Sequence, residues 1–295
     1  LYVAKFGRRD WLHRLLLHFE FWTFRCADLC IATNESYRQI AIGRGRMAPQ
    51  RVFVVRSGPS LERMRIHAPD LRLKRGRRYL VGYVGVMGRQ EGIDYLLRAA
   101  QHIVFELGRH NVQFGLVGSG TSLAQMRTLA ADLGIAEYVT FTGRVPDAEM
   151  LAMLNTADVC VNPDVANEMN DKSTMNKVME YMALGKPIVQ FDLVEGRYSA
   201  QSASLYARPN DAIDLAVKIV ELLDDPVRRA RMGAFGRERV ASVLAWPHEA
   251  PKLLAAYAAL WPEALRQGKT MVRASDATGR STAGGRPDEQ LPREV

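Results

Sequence analysis

Residues 78–86 read RYLVGYVGV, an apolar run in which only the first position is charged. A run of that kind predicts a strand covered on both faces, the environment of a parallel sheet. The chain then repeats the pattern. An amphipathic helix is expected over 93–107, a strand at VQFGLVG (112–118) and a helix over 122–133. A strand at YVTFTG (138–143), a short helix over 147–155 and a strand at ADVCVNP (157–163) come next. A helix over 174–184, a strand at KPIVQFD (186–192) and a short edge strand at SASLYAR (202–208) complete the alternation. Helices over 210–223, 226–243 and about 247–260 close it. Six strands alternating with helices predict an α/β, doubly wound parallel sheet over 79–245. Ligands of such sheets sit beyond the carboxyl ends of the strands. The loops after Val86, Val117, Thr142, Val161 and Phe191 are therefore the places to search.

The front of the chain is thinner. Residues 10–25, DWLHRLLLHFEFWTFR, are apolar over more than half a helical circumference. So wide an apolar face suits a helix buried against a sheet, with a membrane interface as the open alternative. DLCIAT (28–33) predicts a strand, 34–42 a helix and RVFVVR (51–56) a second strand, broken by Ser57-Gly58-Pro59. Two strands are too few for a self-sufficient α/β domain, so residues 1–58 read as the C-terminal part of another domain. Residues 59–78 are polar and basic and read as a linker. A C-terminal helix is expected to run through 246–269. The stretch 270–295, rich in Gly, Ser, Arg and Asp, is expected to be a disordered tail.

With 295 residues and 47% hydrophobic content the chain can build one large or two smaller cores. The net charge of +8 is uneven: residues 1–80 hold 17 Lys+Arg against 6 Asp+Glu, and the rest is net −3. The front excess includes Arg72, Lys74, Arg75, Arg77 and Arg78. It is either a solvated surface or a patch for acidic lipid or an anionic substrate. No nucleic-acid motif accompanies it, and no nucleic-acid partner is expected. Three cysteines, Cys26, Cys30 and Cys160, form no disulfide framework and suit a reducing compartment. The six histidines have no metal-ligand spacing, and no apolar run approaches the roughly 18 residues of a membrane span. The chain starts at Leu1 rather than methionine, so a fragment or misplaced start is expected, and a missing targeting segment carries little weight.

The candidate chemistry lies in the loops. In GYVGVMG, Gly85 and Gly88 sit where a backbone could approach a phosphate closely. Gly118 and Gly120 of LVGSG give two positions of a dinucleotide fingerprint without the third. Arg144 could accept a ribose 2′-phosphate, which keeps a nicotinamide cofactor open as an alternative. The most informative block, residues 162–187, reads NPDVANEMNDKSTMNKVMEYMALGKP. Ser173 stands at an expected helix start as a capping residue. The N–H groups of Thr174, Met175 and Asn176 would then point outward as an anion site. Lys177 lies one turn in and Glu180 three residues further, on the face of Ser173 and Thr174. A cation there suits a phosphate, and a carboxylate one turn deeper suits the hydroxyl pair of a ribose. The competing reading is an ordinary surface helix carrying a Lys and a Glu.

The motifs YVGVMG, EGIDYLL, VGSG, FTGRV, ADVCVNP, NDKSTMNKVMEYMALGKPIV and FDLVEGRYSA together resemble the group 1 (family four) glycosyltransferases of the GT-B fold. The likeness extends over about residues 28–260 and is nearest to a bacterial branch serving exopolysaccharide, capsule or lipid-linked glycan assembly. It implies one complete Rossmann-type donor domain, preceded by the remnant of an acceptor-side domain. Of the family's two Glu separated by seven residues, Glu180 matches the second, which in relatives contacts the nucleotide ribose. Lys172 stands in place of the first, with Asp171 beside it. The Arg and Lys that commonly hold the diphosphate are here Val86 and Glu91, and Lys177 or Lys172 could supply the charge. Arg144 and Val145 match the loop that meets the base. Asn34-Glu35-Ser36 matches an inner loop of the acceptor side.

The resemblance implies retaining, metal-independent transfer from a nucleotide-diphosphate sugar to a hydroxyl acceptor, with no separate cofactor. The acceptor would be a glycan or lipid-linked. The setting would be cytoplasmic, with peripheral contact at the inner face of the plasma membrane through the basic front. No residue stands out as a general base. The alternative is a glycosyltransferase-like subunit that binds nucleotide or a partner and transfers nothing.

Overall fold

The computed structural model describes residues 2–7 and 9–260. At the front, α1 (Tyr2–Phe6) precedes α2 (Trp11–Cys26), which Asp10 caps by accepting from the His13 N–H at 3.1 Å. β1 (Cys30–Ala32), α3 (Glu35–Gly43) and β2 (Val52–Val54) follow, and β1 pairs with β2 in parallel as a sheet of two strands. That sheet is too small to cover α2. The helix buries none of its residues, and Trp11, Phe19 and Trp22 remain 73%, 58% and 53% exposed. The expectation of a buried helix is therefore corrected: only Phe24 and Ala27, at its C-terminal end, join the small core of Ala32, Ala41, Met47 and Val52.

Every one of the six strands expected from 78 onward forms. They are β3 (Tyr79–Val84), β4 (Val112–Val117), β5 (Val139–Gly143), β6 (Val159–Asn162), β7 (Ile188–Phe191) and β8 (Ser204–Ala207). All pairings are parallel, and the spatial order is β5-β4-β3-β6-β7-β8. The intervening helices are α4 (Ile93–Gln101), α5 (Leu123–Asp132), α6 (Asp147–Thr156), α7 (Glu168–Asp171), α8 (Asn176–Ala183) and α9 (Val194–Ala200). After β8 come α10 (Ala212–Asp224), α11 (Pro226–Arg239) and α12 (Trp246–Leu260). The fold is thus the α/β, doubly wound parallel arrangement that the sequence pattern predicts. Neither α7 nor α9 is expected from periodicity. One is four residues long, and the other carries Gly196 within its seven residues.

Alternating side chains send the sheet's two faces into separate cores. One holds Val81, Tyr83, Phe114 and Leu116 beneath α4, α5 and α10. The other holds Leu80, Cys160 and Ile188 beneath α6 and α8. Burial pushes the Cys160 thiol up to about 12, so it is a packing group rather than a nucleophile. Residues up to Leu253 form one compact unit, and a second begins at Leu254, where it continues α12 as far as Leu260. The expected end of the C-terminal helix (261–269) and the expected disordered tail (270–295) lie outside the described residues. No helix among the described residues is long and apolar enough to cross a membrane.

At the carboxyl edge of the sheet, three loops are tied together by backbone hydrogen bonds. Gly85 N–H donates to Val117 O at 3.1 Å, Met87 N–H to Ser119 O at 3.1 Å and Ser122 N–H to Met87 O at 2.9 Å. Gly118 N–H donates to Gly143 O at 2.9 Å. Gly118 adopts φ +132°, and a Cβ there would run into the Gly85 carbonyl. Gly118→Ala therefore forces both strain and a loop displacement. We expect it to lower unfolding free energy by about 2 kcal/mol or more in urea titrations. A loss under about 0.5 kcal/mol would mean that the loop yields freely.

Candidate functional site

β3 and β6 lie side by side although three helices and two strands separate them in sequence. The strand order reverses between them, which opens a crevice beyond their carboxyl ends. The loop after β3 and the loop after β6 meet there. Val165 N–H donates to Gln90 O at 3.0 Å, and the Asn170 amide donates to Gln90 O and Val165 O, both at 2.8 Å. Gly92 adopts φ +61°, and a Cβ on it would collide with the Pro163 carbonyl, so the approach of the loops requires glycine.

Four glycines were expected to let a phosphate approach, and the structure divides them. Gly118 and Gly120 admit the chain's own 85–88 loop: a Cβ at 120 would stand 2.5 Å from Met87 O. Their glycine requirement is met by packing alone. Added Cβ atoms at Gly85 and Gly88 would meet only the Tyr83 hydroxyl and the Gln90 amide, at 2.5 and 2.7 Å. At these two positions the crowding comes from side chains rather than from a neighbouring backbone.

Ser173 does not cap a helix, which corrects the expectation. α8 begins at Asn176 with Met175 at its cap position, and no side chain caps it. The Ser173 hydroxyl instead donates to Met169 O at 2.7 Å and shares a 2.9 Å hydrogen bond with the Tyr37 hydroxyl. The backbone here is nonetheless left without internal partners. Among the described residues, the N–H groups of Thr174, Met175 and Asn176 donate to no protein acceptor.

Lys177 is also displaced from its expected role. Its ammonium is buried, 2.5 Å from Glu91 Oε2 and 2.8 Å from Asp164 Oδ1, and it lies 5.0 Å from the centre of the Tyr83 ring. The Tyr83 hydroxyl donates to the same Glu91 oxygen at 3.1 Å. Burial pulls the Lys177 ammonium down, but Asp164 and Glu91 outweigh it and hold the group above the usual lysine range. Burial pushes the Asp164 carboxyl up against the pull of Lys177. Asp164 Oδ2 is buried without a hydrogen-bond partner. The Lys177 charge is thus neutralised inside the protein, so it is not a free cation facing a phosphate. Lys172, the other candidate, pairs with Glu168 at 3.0 Å.

Glu180 keeps an opening to solvent, with its side chain 20% exposed. Its Oε1 accepts from Arg63 Nη1 at 3.2 Å, and Arg63 forks onto both oxygens of Asp147 at 2.6 and 3.0 Å. Burial pushes the Glu180 carboxyl up, and the Arg63 guanidinium draws it partly back. Arg144 and Val145 sit between β5 and Asp147; Arg144 is exposed, while Val145 packs on the core.

Residues of the front segment close the other side. Asn34 donates to Lys172 O at 2.8 Å and to Thr174 Oγ1 at 3.0 Å. Ser36 donates to Glu195 Oε1 at 2.7 Å, and Arg56 Nη1 reaches Glu195 Oε2 at 3.1 Å. The Arg56 and Glu195 side chains are 5% and 3% exposed, a buried ion pair capped by the Tyr198 ring. Sequence reasoning passed over Arg56, Glu195, Asp164 and Arg63. Asp164 alone carried a signal, as an acidic residue just past a strand's carboxyl end.

With this geometry in view, the family can be assigned. The model described as "Glycosyl transferases group 1" matches residues 78–225, half of the chain. The chain belongs to the group 1 glycosyl transferases. It is 27% identical to the 2-deoxystreptamine glucosyltransferase of Streptomyces kanamyceticus, over 60% of this chain and 45% of that one. It is 29% identical to a GDP-mannose-dependent monoacylated alpha-(1-6)-phosphatidylinositol monomannoside mannosyltransferase of Corynebacterium glutamicum, over 53% and 41%. This group 1 chain thus spans under half the length of either relative. Among solved structures, the Anabaena HepE complex with UDP superposes with a TM-score of 0.69 at 16% identity, over 80% of this chain and 65% of that one.

Lys177→Met removes the one cation between Glu91 and Asp164. Breaking a buried pair in this way costs about 3–5 kcal/mol. Burial already pushes the Asp164 carboxyl up, and without Lys177 the pull that opposes burial is gone. A folded state that binds protons more tightly than the unfolded one gains stability as pH falls. The variant's deficit against the parent is expected to be larger at about pH 8 than at about pH 5 in paired urea titrations. A deficit independent of pH would exclude this account of the cluster.

Proposed function

We propose that this chain takes part in glycosyl transfer from a nucleotide-diphosphate sugar to a hydroxyl acceptor, with Glu180 accepting hydrogen bonds from the ribose. The observation that carries this reading is a recessed carboxylate, Glu180, one turn beyond three backbone N–H groups that lack protein acceptors. Such N–H groups at a helix start favour an anion, and a carboxylate behind them favours a hydroxyl pair. The 144–145 loop leads into Asp147, which Arg63 links to Glu180, and in this reading it would meet the base. Gly85 and Gly88 leave the crevice open to the diphosphate. The N–H groups would stabilise the leaving diphosphate as charge develops, so retaining transfer without a metal is part of the proposal. Both the UDP held by HepE and the GDP-mannose named for the mannosyltransferase are consistent with a nucleoside-diphosphate donor.

Glu180→Ala removes a charge-assisted acceptor worth roughly 1.5–3 kcal/mol. Calorimetry with UDP and GDP should therefore give about ten- to hundredfold weaker binding. Unchanged affinity for both would remove Glu180 from the ribose. A second reading, nucleotide binding without turnover, is favoured by Val86, Glu91 and Lys172 at positions where the family carries charge of the opposite sign or an arginine. Release of nucleoside diphosphate from UDP-glucose or GDP-mannose in the presence of acceptor separates the two.

Exopolysaccharide or lipid-linked glycan assembly, at the inner face of the plasma membrane, is the setting we propose. The support is α2, whose exposed Trp11, Phe19 and Trp22 accompany the basic front segment. Aromatic residues beside cations suit an anionic lipid surface. The chain should co-sediment with phosphatidylserine-containing vesicles at low salt and leave them as salt rises. Failure to bind at low salt would end this part of the proposal.

A further inference from the structure

The connector between β2 and β3 carries more than its length requires. Met64 is buried in the core beneath α6 and α8, and it fixes the turn on which its neighbour Arg63 sits. Arg63 reaches two elements of the donor side at once. Its Nε and Nη2 fork onto the Asp147 carboxylate at the start of α6, at 2.6 and 3.0 Å. Its Nη1 donates to Glu180 Oε1 on α8 at 3.2 Å. Glu180 Oε2 accepts no hydrogen bond among the described residues. We propose that Arg63 is the positioning residue of the ribose subsite: clamped by Asp147, it holds Glu180 through one carboxylate oxygen and leaves the other for a ribose hydroxyl. The inference rests on the ribose role of Glu180 given above.

The chemistry explains why such a residue is needed. A ribose hydroxyl donates, so the group it meets must be an ionised acceptor; a protonated carboxyl offers a competing donor. Burial on α8 favours the protonated form of Glu180, and Asp147 beyond the guanidinium pushes the same way. Arg63 is the opposing charge, and among the described residues Arg63 and Asp147 are the charged groups that act on Glu180. The fork onto Asp147 uses two N–H groups and aims the third, a geometry that lysine cannot reproduce. A half-exposed pair of this kind contributes little to folding. The value of the arrangement lies in the site.

The sign follows directly. Affinity is high where Glu180 is ionised and falls as pH drops through its pKa. Without Arg63 that pKa rises further, so affinity fails at a higher pH. The test is calorimetry with UDP and GDP on the full chain, for the parent and for R63Q, R63K, E180Q and R63Q/E180Q, at about pH 5.5, 6.5 and 8. R63Q should bind within about threefold of the parent at the highest pH and weaken progressively toward the lowest, approaching the roughly tenfold limit that a shift of about one pKa unit sets. R63K should fall between them. E180Q should be weak throughout, and the double variant no weaker than E180Q. Comparing variants at each pH cancels the ionisation of the probe itself. If E180Q weakens binding but R63Q follows the parent's pH profile, or loses the same factor at every pH, the positioning role is overturned while the ribose reading stands. If E180Q leaves affinity unchanged, the ribose reading fails and Arg63 has no carboxylate to position.

Discussion

The contact between Lys177 and the two carboxylates Glu91 and Asp164 decides how the crevice is built. Each partner comes from a different element: the loop after β3, the loop after β6 and the first turn of α8. The strand order reverses between β3 and β6, so no backbone ladder beyond their ends joins those loops to the helix. An ion cluster in a low-dielectric interior does so with fixed geometry, provided that its charges are balanced and hydrogen-bonded. Tyr83 supplies one of those bonds from the strand itself. The position of α8 follows from this cluster. So does the half-open setting of Glu180.

Two of the three departures from the family pattern are answered by ion pairs within the protein. The family's lysine after the first loop is here Glu91, and Glu91 binds Lys177. A carboxylate at 91 alone would repel a diphosphate. Paired with Lys177, it becomes part of the floor. Lys172, standing where a glutamate is usual, is likewise held by Glu168 at 3.0 Å. The charges that differ from the family are therefore partnered within the protein. Arg144, by contrast, is exposed and has no acidic partner among the described residues.

Much of this was legible in the residues, and the rest was not, for physical reasons. The six strands were readable because a buried parallel sheet needs continuous apolar runs, and RYLVGYVGV and its successors supply them. The direction of Glu180 was readable because helical spacing fixes a face. What spacing cannot say is which residue stands opposite. Lys177 shares a helix face with Glu180, yet it turns into a pocket of two carboxylates drawn from 86 and 13 residues away. Ser173 looked like a cap because capping chemistry is local. Tyr37, 136 residues away, offered its hydroxyl a competing partner. Arg63 gave no signal, being one arginine among many in a basic connector. The wide apolar face of α2 predicted burial, but burial needs a surface to pack against, and β1 and β2 provide only a few residues of one.

The front segment and the donor side are joined through polar contacts rather than through a shared apolar core. Asn34, Ser36 and Arg56 reach Lys172, Thr174 and Glu195, and the Arg56–Glu195 pair is almost wholly buried. A buried ion pair adds little to stability over an apolar contact of the same size, but it is unforgiving about position. Thr174 takes hydrogen bonds from both Asn34 and Arg56, and its own N–H is one of the three without a protein acceptor among the described residues. A change in how the front segment sits would therefore be felt first at the N–H groups proposed to hold the diphosphate. That places the coupling between the front segment and the six-stranded sheet's loops in the few hydrogen bonds at Thr174 and Glu195.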